Sequence, residues 1–296
     1  MEQLSYIIDL YRDPDPAVAA ALDTYFLEGG PDALEELKTH WHNELSPERK
    51  AVMGEMLARF NKKAVIRRLK EITAQCSGGE CHMLEAGYLA ASLTDATLRR
   101  EDYMSRVVPV VVAAMAEISD SKTAVENVNL LNHVFYFNYG FSALNPFDMT
   151  LQGSLLMSVL ETRKGSPFAL SLLYFIVAQA VGLPVYPLCF TGGFVPVYVE
   201  NGKVLFNINV FHKGEIFLEN NVSKLVKNQA SALGVNVDIG EPEVRRDASI
   251  LVMYLEYLQM LYSNAGDSVA QMDIDDAIAA LGGKRFLTIE EDDDNW

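Results

Sequence analysis

Few side chains in this chain have the type and placement to do chemistry. Ser166 heads the apolar run from Pro167 to Tyr186, and His212 follows a strand-like segment, so a Ser/His pair for nucleophilic catalysis is conceivable. Such a pair needs the base within hydrogen-bond reach and a third group to orient it, and no orienting acid is identifiable. The simpler role for Ser166 is a helix cap, with Pro167 at the favoured first helical position. Arg163 and Lys164 flank the same helix start, where N–H donors and the helix dipole are able to hold an anion; solvated charges are the plainer reading. Cys76, Cys81 and His82 surround a Ser-Gly-Gly-Glu segment. At that unusual spacing, with no second Cys/His pair, they read as loop thiols ahead of a redox pair or a zinc site. No metal and no other cofactor is expected. Cys189 ends a strand-like run and reads as a small buried hydrophobe, and His133, beside an apolar stripe, as a structural histidine.

The elements that must position these groups are mostly helical. Apolar periodicity predicts helices at about 4–11, 16–27, 31–43, 47–75, 83–92 and 100–118. Pro14 and Pro16 between Asp13 and Asp15 start the second, Gly29, Gly30 and Pro31 separate it from the third, and Ser46 and Pro47 open the fourth. Val125, Val128, Leu131, Val134, Phe135 and Tyr139 give one further helical stripe between Thr123 and Gly140. A loop is expected from Phe141 to Gly153 and a helix from about Leu155 to Thr162. Past Pro184 the pattern changes to strands at 185–190, 194–199 and 204–209. Asn201 and Gly202 supply the positive φ angles of a tight hairpin turn between the last two. Residues 219–237 are ambiguous, and two helices are expected at about 243–264 and 268–281.

Composition narrows the function classes. With 296 residues and 50% hydrophobic content, the chain can bury a sizeable core as one or two domains. A net charge of −16 opposes nonspecific binding to nucleic acid or anionic membrane, although a local basic patch is compatible with it. The acidic segment from Glu290 to Trp296 reads as a solvated tail, or as a docking tail for a basic partner. The polar start at Met1, Glu2 and Gln3 carries no leader pattern, so the cytoplasm is the expected compartment. The run from Pro167 to Tyr186 approaches membrane-span length. Pro167 opens its helix and Gly182 and Pro184 end it, leaving roughly 22 Å against a hydrocarbon thickness of ~30 Å, so a buried core helix is expected and no membrane partner.

Taken together, Leu131 to Phe135, Gly140-Phe141, Val159 to Arg163, Gly165 to Ser171 and Gly182 to Tyr186 resemble a bacterial branch of the transglutaminase-like superfamily. This core-2 type includes relatives of an invasion-gene regulator and commonly joins the core to helical repeats. The resemblance is good over roughly 120–220 and poor in the flanking helices. It implies an α+β, mostly helical fold: a degenerate transglutaminase- or papain-like core in which a buried helix packs on a small antiparallel sheet, with HEAT-like N-terminal helices and a C-terminal helical hairpin of tetratricopeptide sort. Residues 13–21 resemble the start of a HEAT-type hairpin. The implied division is 1–120 helical, 121–240 core, 241–285 hairpin and 286–296 tail.

In active members of such domains a Gly-x-Cys turn opens the buried helix, and its thiolate is served by a histidine on a neighbouring strand and an orienting Asp or Asn. By the resemblance, Pro167 stands at the cysteine place, as is usual in this branch, Gly193 at the histidine place and Asn209 at the acidic place, where one subgroup carries asparagine. All three are inert for acyl transfer by the cysteine route. The function implied is a noncatalytic module that binds a protein or peptide, with Arg163, Ser166, Tyr198, Asn207, Asn209 and His212 as candidate binding residues. No nucleic-acid partner is expected and the oligomeric state stays open. The alternatives are a hydrolase or acyltransferase using Ser166 and His212, a metal-assisted hydrolase using the Cys76, Cys81 and His82 group, and a structural oligomer subunit.

Overall fold

The structure, a computed structural model, describes residues 2–28, 31–75, 82–145, 150–218, 241–246, 248–282 and 285–287. Six helices come first: α1 (Glu2–Leu10), α2 (Pro16–Glu28), α3 (Pro31–Asn43), α4 (Pro47–Gln75), α5 (Met83–Thr94) and α6 (Arg100–Glu117). Their starts follow from local chemistry. The Asp15 carboxylate accepts from Ala17 N–H at 2.8 Å, and prolines stand first in α2, α3 and α4, where no N–H is needed. Gly29 and Gly30 lie outside the described residues.

Helix α7 (Ala124–Asn132) opens with a capping box, Thr123 and Glu126 each bonding the other's backbone N–H. It continues as a π-helical turn (His133–Asn138), which is where the expected single 3.6-residue stripe breaks down. The wider turn buries Val134, Phe135 and Tyr136 in succession and leaves His133 exposed, while Val125, in the first turn of α7, is exposed as well. His133 is therefore a surface residue, its ring stacked on that of Phe137 at 5.7 Å. The expected loop contains β1 (Ser142–Ala143), which pairs in parallel with β2 (Lys164–Gly165) across helix α8 (Leu156–Thr162).

Helix α9 (Pro167–Ala180) is the centre of the molecule, and every residue from Ala169 to Ala178 is fully buried. One face of the sheet covers it. Strands β3 (Val185–Phe190), β4 (Gly193–Glu200), β5 (Lys203–Asn209), β6 (Glu215–Phe217) and β7 (Glu243–Val244) stand in the order β6-β5-β4-β3-β7, all neighbours antiparallel. The β4–β5 turn has Asn201 at φ 51° and Gly202 at φ 75°, as its sequence requires. Val185, Cys189, Tyr198, Phe206 and Ile208 join the α9 core, whereas Tyr186, Val197 and Val199 form a small cluster on the other face.

Two helices end the described chain, α10 (Ser249–Asn264) and α11 (Ser268–Ala280). Residues 243–244, expected as the first turn of α10, are instead the strand β7, which covers the free edge of β3. The main core runs from Val65 to Phe286 and so joins α5, α6, α9, the sheet and α10–α11. A second core holds α1–α3 against the first half of α4, through Met53, Met56, Leu57 and Phe60. Helix α4 thus belongs to both. The result is an α+β fold, mostly helical, with a buried helix on a small antiparallel sheet. Among the described residues no helix is long and apolar enough to cross a membrane.

Gly214 tests this packing. It has φ +74°, and a Cβ there would collide with the side chain of Asn132. Gly192 has φ +89° but open space around it. Gly192→Ala is expected to cost about 1–2 kcal/mol from the left-handed backbone alone. Gly214→Ala, which must also displace Asn132, is expected to lose clearly more. Urea denaturation of both variants checks this, and equal losses would contradict the packing described.

Candidate functional site

The start of α9 is fixed by backbone. Ser166 N–H donates to Gly153 C=O at 2.8 Å and Leu144 N–H to Gly165 C=O at 2.8 Å. Pro167 follows at the first helical position. Ser166 has the extended backbone of a cap residue, but its hydroxyl makes no capping bond; it is fully buried and its Oγ has no hydrogen-bond partner among the described residues. The expected side-chain cap is absent. The strand pair β1–β2 aims Ser166 inward, where burial replaces capping. His212 lies on an exposed 3-10 turn (Val210–His212), and no hydrogen bond joins it to Ser166.

Aromatic rings fill the space beside the helix start. Phe168 stacks on Tyr257 of α10 at 4.7 Å and meets Phe194 edge-on at 5.7 Å, and Phe194 also contacts Phe175 at 6.0 Å. Since Phe168 follows Pro167 and Phe194 follows Gly193, these contacts bring the head of α9 to the head of β4. The register Val197↔Asn207, continued by two residues, sets Asn209 level with Val195. Pro167, Gly193 and Asn209 therefore share one end of the sheet.

Asn209 is occupied there. Its Oδ1 accepts from the N–H groups of Phe211 (3.2 Å) and His212 (3.3 Å), and its C=O from Gly214 N–H at 2.9 Å. The turn it builds is tied to the core by a side chain that sequence reasoning passed over. Asn132 Nδ2 donates to Gly214 C=O at 2.7 Å, while its Oδ1 accepts from the Tyr174 hydroxyl at 2.8 Å. Tyr136 adds a bond to Val210 C=O at 2.9 Å.

The other sequence-derived candidates are dispersed. Arg163 ends α8 in the left-handed conformation at φ 63°, and its guanidinium lies over the rings of Phe141 at 4.8 Å and Tyr139 at 5.7 Å. Burial lowers its pKa below the ordinary arginine value, and Nη1 is buried with no hydrogen-bond partner among the described residues. Tyr198 is buried and stacked on Phe206 at 5.1 Å, a core position. Asn207, also buried, faces away from α9 and donates to Phe217 C=O at 3.3 Å. Cys189 is buried, as expected. Cys76 and Cys81 lie outside the described residues, among which no group of three His, Cys, Asp or Glu could hold a metal ion.

A second polar site has no counterpart in the sequence reading. Lys38, only 2% exposed on α3, donates from Nζ to Tyr88 Oη at 2.7 Å, Glu35 Oε1 at 3.1 Å and Ser92 Oγ at 3.2 Å. Tyr88 also donates to Glu35, and Glu35 Oε2 accepts from the first N–H of α6, that of Arg100, at 2.8 Å. Ser92 Oγ in turn donates to Asn61 Oδ1 at 3.0 Å. Burial lowers the Lys38 pKa, and burial with the nearby Glu35 charge raises that of Tyr88. This network floors a cleft of about 430 Å³ between α3, α4 and α5. Its sequence signal was weak because a lysine on an amphipathic helix reads as a solvated charge.

A buried helix whose head meets one end of a small antiparallel sheet is the arrangement that the resemblance to transglutaminase-like domains implied. The comparisons agree: residues 101–242 match the family model described as the transglutaminase-like superfamily, so a transglutaminase-like domain is present over that span. UPF0162 protein PM0557 of Pasteurella multocida (strain Pm70) is 33% identical over 98 residues, which cover 33% of this chain and 37% of that protein. The chain thus spans little more than a third of the length of that relative. No solved structure matches the chain.

The Lys38 network is open to a stability cycle. Lys38→Met strands the Glu35 carboxylate and is expected to lose on the order of 3–5 kcal/mol. Lys38→Met/Glu35→Gln leaves no charge behind and is expected to recover a large part of that loss. Guanidinium denaturation of both proteins decides it, and additive losses would contradict the pairing.

Proposed function

We propose that the chain is a noncatalytic protein of the core-2 branch, related to the invasion-gene regulator, which binds a protein or peptide in the bacterial cytoplasm. One observation supports the reading: at the sheet end to which the resemblance assigns the catalytic places, Pro167 offers no nucleophile, Phe168 is packed between Tyr257 and Phe194, and Asn209 Oδ1 is used on two backbone N–H groups. Proline has neither a reactive atom nor an N–H with which to hold a thiolate or an oxyanion. Gly193, by the resemblance, leaves the base place empty.

The chain keeps a peptide-sized exposed surface beside this end. Phe211 is 49% exposed and Phe137 62%, with Lys213 Nζ 5.1 Å from the Phe137 ring and His212 on the same turn as Phe211. Exposed aromatic side chains with adjacent cations are typical anchors of protein interfaces. The α1–α3 layer, read as HEAT-like, and the α10–α11 hairpin, read as tetratricopeptide-like, extend the surface available to a partner.

Purified protein is expected to show no amidase, peptidase or acyl-transfer activity on peptide p-nitroanilides and thioesters. Turnover that disappears in Ser166→Ala would overthrow the reading in favour of the hydrolase. Affinity capture with the wild type is expected to hold a protein species that Phe211→Ser and His212→Ala lose, both substitutions lying at exposed positions. A species retained equally by all three proteins would place recognition elsewhere.

A further inference from the structure

We infer that the groove between α10 and the β3–β4 turn is a recognition site for a short peptide in which an aromatic residue follows a cationic one, and that the chain's own residues Arg285–Leu287 occupy it as an intramolecular ligand. This deepens the protein-binding reading above, on which it rests for the existence of a partner. It adds a second surface to the one around Phe211 and names its chemistry.

Residues 285–287 belong to no helix or strand, yet all three are held. Phe286 N–H donates to both oxygens of the Glu256 carboxylate, at 3.1 and 2.9 Å, and Leu287 N–H to one of them at 3.2 Å. Two successive N–H groups that converge on one anion form a concave donor pair, and here α10 supplies the anion. Phe286 C=O accepts from Gly192 N–H of the β3–β4 turn at 2.8 Å, and the Phe286 ring, 8% exposed, joins the main core. Arg285 pairs with Asp275 of α11 and donates from Nη1 to Gln259 Oε1 of α10 at 2.7 Å, while Gln259 Nε2 donates to Asp275 at 3.1 Å. Of the three aspartates in α11, Asp273 and Asp276 pair with Lys62 of α4, which leaves Asp275 for the cation of the segment.

Packing alone does not call for these groups. Glu256 is 5% exposed on an apolar helix, where a carboxylate is costly unless donors satisfy it and an apolar side chain of similar volume would serve the core as well. Its carboxylate reads main chain, Asp275 with Gln259 reads a cation, and the core takes the ring. Backbone bonds for affinity with side-chain pockets for specificity is how short peptides are recognised. Three consecutive residues carry all of these contacts, as in a linear ligand. The place also bears on function: Glu256 precedes Tyr257, on which Phe168 stacks, and Gly192 precedes Gly193, so the segment lies at the sheet end where the head of α9 stands. A partner segment of the same pattern therefore competes with residues 285–287 and releases them on binding.

Hydrogen exchange and peptide binding on the full chain test this. In the wild type the Phe286 and Leu287 amides are expected to exchange roughly a hundredfold faster than those of Leu172–Val177 in α9, because the segment opens without unfolding the core. Protection equal to that of α9 overturns the inference. In fluorescence anisotropy, a fluorescein-labelled Lys-Arg-Phe-Leu-Thr peptide is expected to bind Arg285→Ser/Phe286→Ser about tenfold more tightly than the wild type, since the competing segment is disabled while Glu256, Gln259, Asp275 and Gly192 are untouched. A peptide with Ser in place of Phe, or one methylated on the Phe and Leu amide nitrogens, is expected to bind that variant about tenfold more weakly. No gain in a double variant whose circular dichroism matches the wild type, or equal binding of the altered peptides, overturns the inference; should the variant lose its fold, the exchange measurement decides. Capture that depends on Phe211 and His212 without any peptide gain sinks this inference alone, and peptide gain without such capture sinks the Phe211 surface alone.

Discussion

Enclosure of α9 on every side is the constraint that the rest of the structure serves. A helix that is apolar all round has no face to offer water, so neighbours must be supplied in every direction. Here they are α5, α6, α8 and α10, the inner face of the sheet, and the turn after β5. Close approach is permitted where side chains are small: Gly87 of α5 leaves room for Tyr103 and Ile176, which a Cβ there would strike. Burial of ten successive residues also explains why the C-terminal hairpin shares a core with the sheet. Without α10, Phe168 would lose the ring of Tyr257 on which it stacks.

Two buried polar networks set how the remaining parts sit against this centre. Asn132 ties the head of the π-helical turn to Gly214 and to Tyr174 of α9, and thereby holds the turn on which Asn209, Phe211 and His212 stand. Glu35 and Lys38 do the corresponding service between the two cores, since Glu35 bonds the first N–H of α6 while Lys38 reaches Tyr88 and Ser92 of α5. A buried charge pair contributes little net stability against an apolar substitute, but it penalises any other arrangement of the same helices. Its place where α3 meets α5 and α6 of the main core fits that role.

The head of α9, the head of β4 and the end of β5 meet at one end of the sheet, and the residues there are engaged in packing and backbone bonds. Exposed aromatic and cationic side chains lie further out, on the turn after β5 and on the outer side of α4.

Helix boundaries, the Asn201-Gly202 hairpin and the buried α9 were legible from sequence because each depends on neighbours within a few residues: prolines and aspartates at starts, a positive-φ pair at a turn, an unbroken apolar run. The likeness of residues 120–220 to transglutaminase-like domains was legible for the same reason, as motifs lie in single segments. What tertiary structure alone decided depends on groups far apart in the chain. Glu243 and Val244 became a strand because β3 had a free edge, Ser166 lost its capping role to burial, Tyr198 and Asn207 turned out to be core residues, and Lys38 was buried because Glu35, Tyr88 and Ser92 surround its ammonium group. Periodicity reports which face of an element is apolar; it carries no information on which distant polar group will meet it, and that meeting fixed both networks.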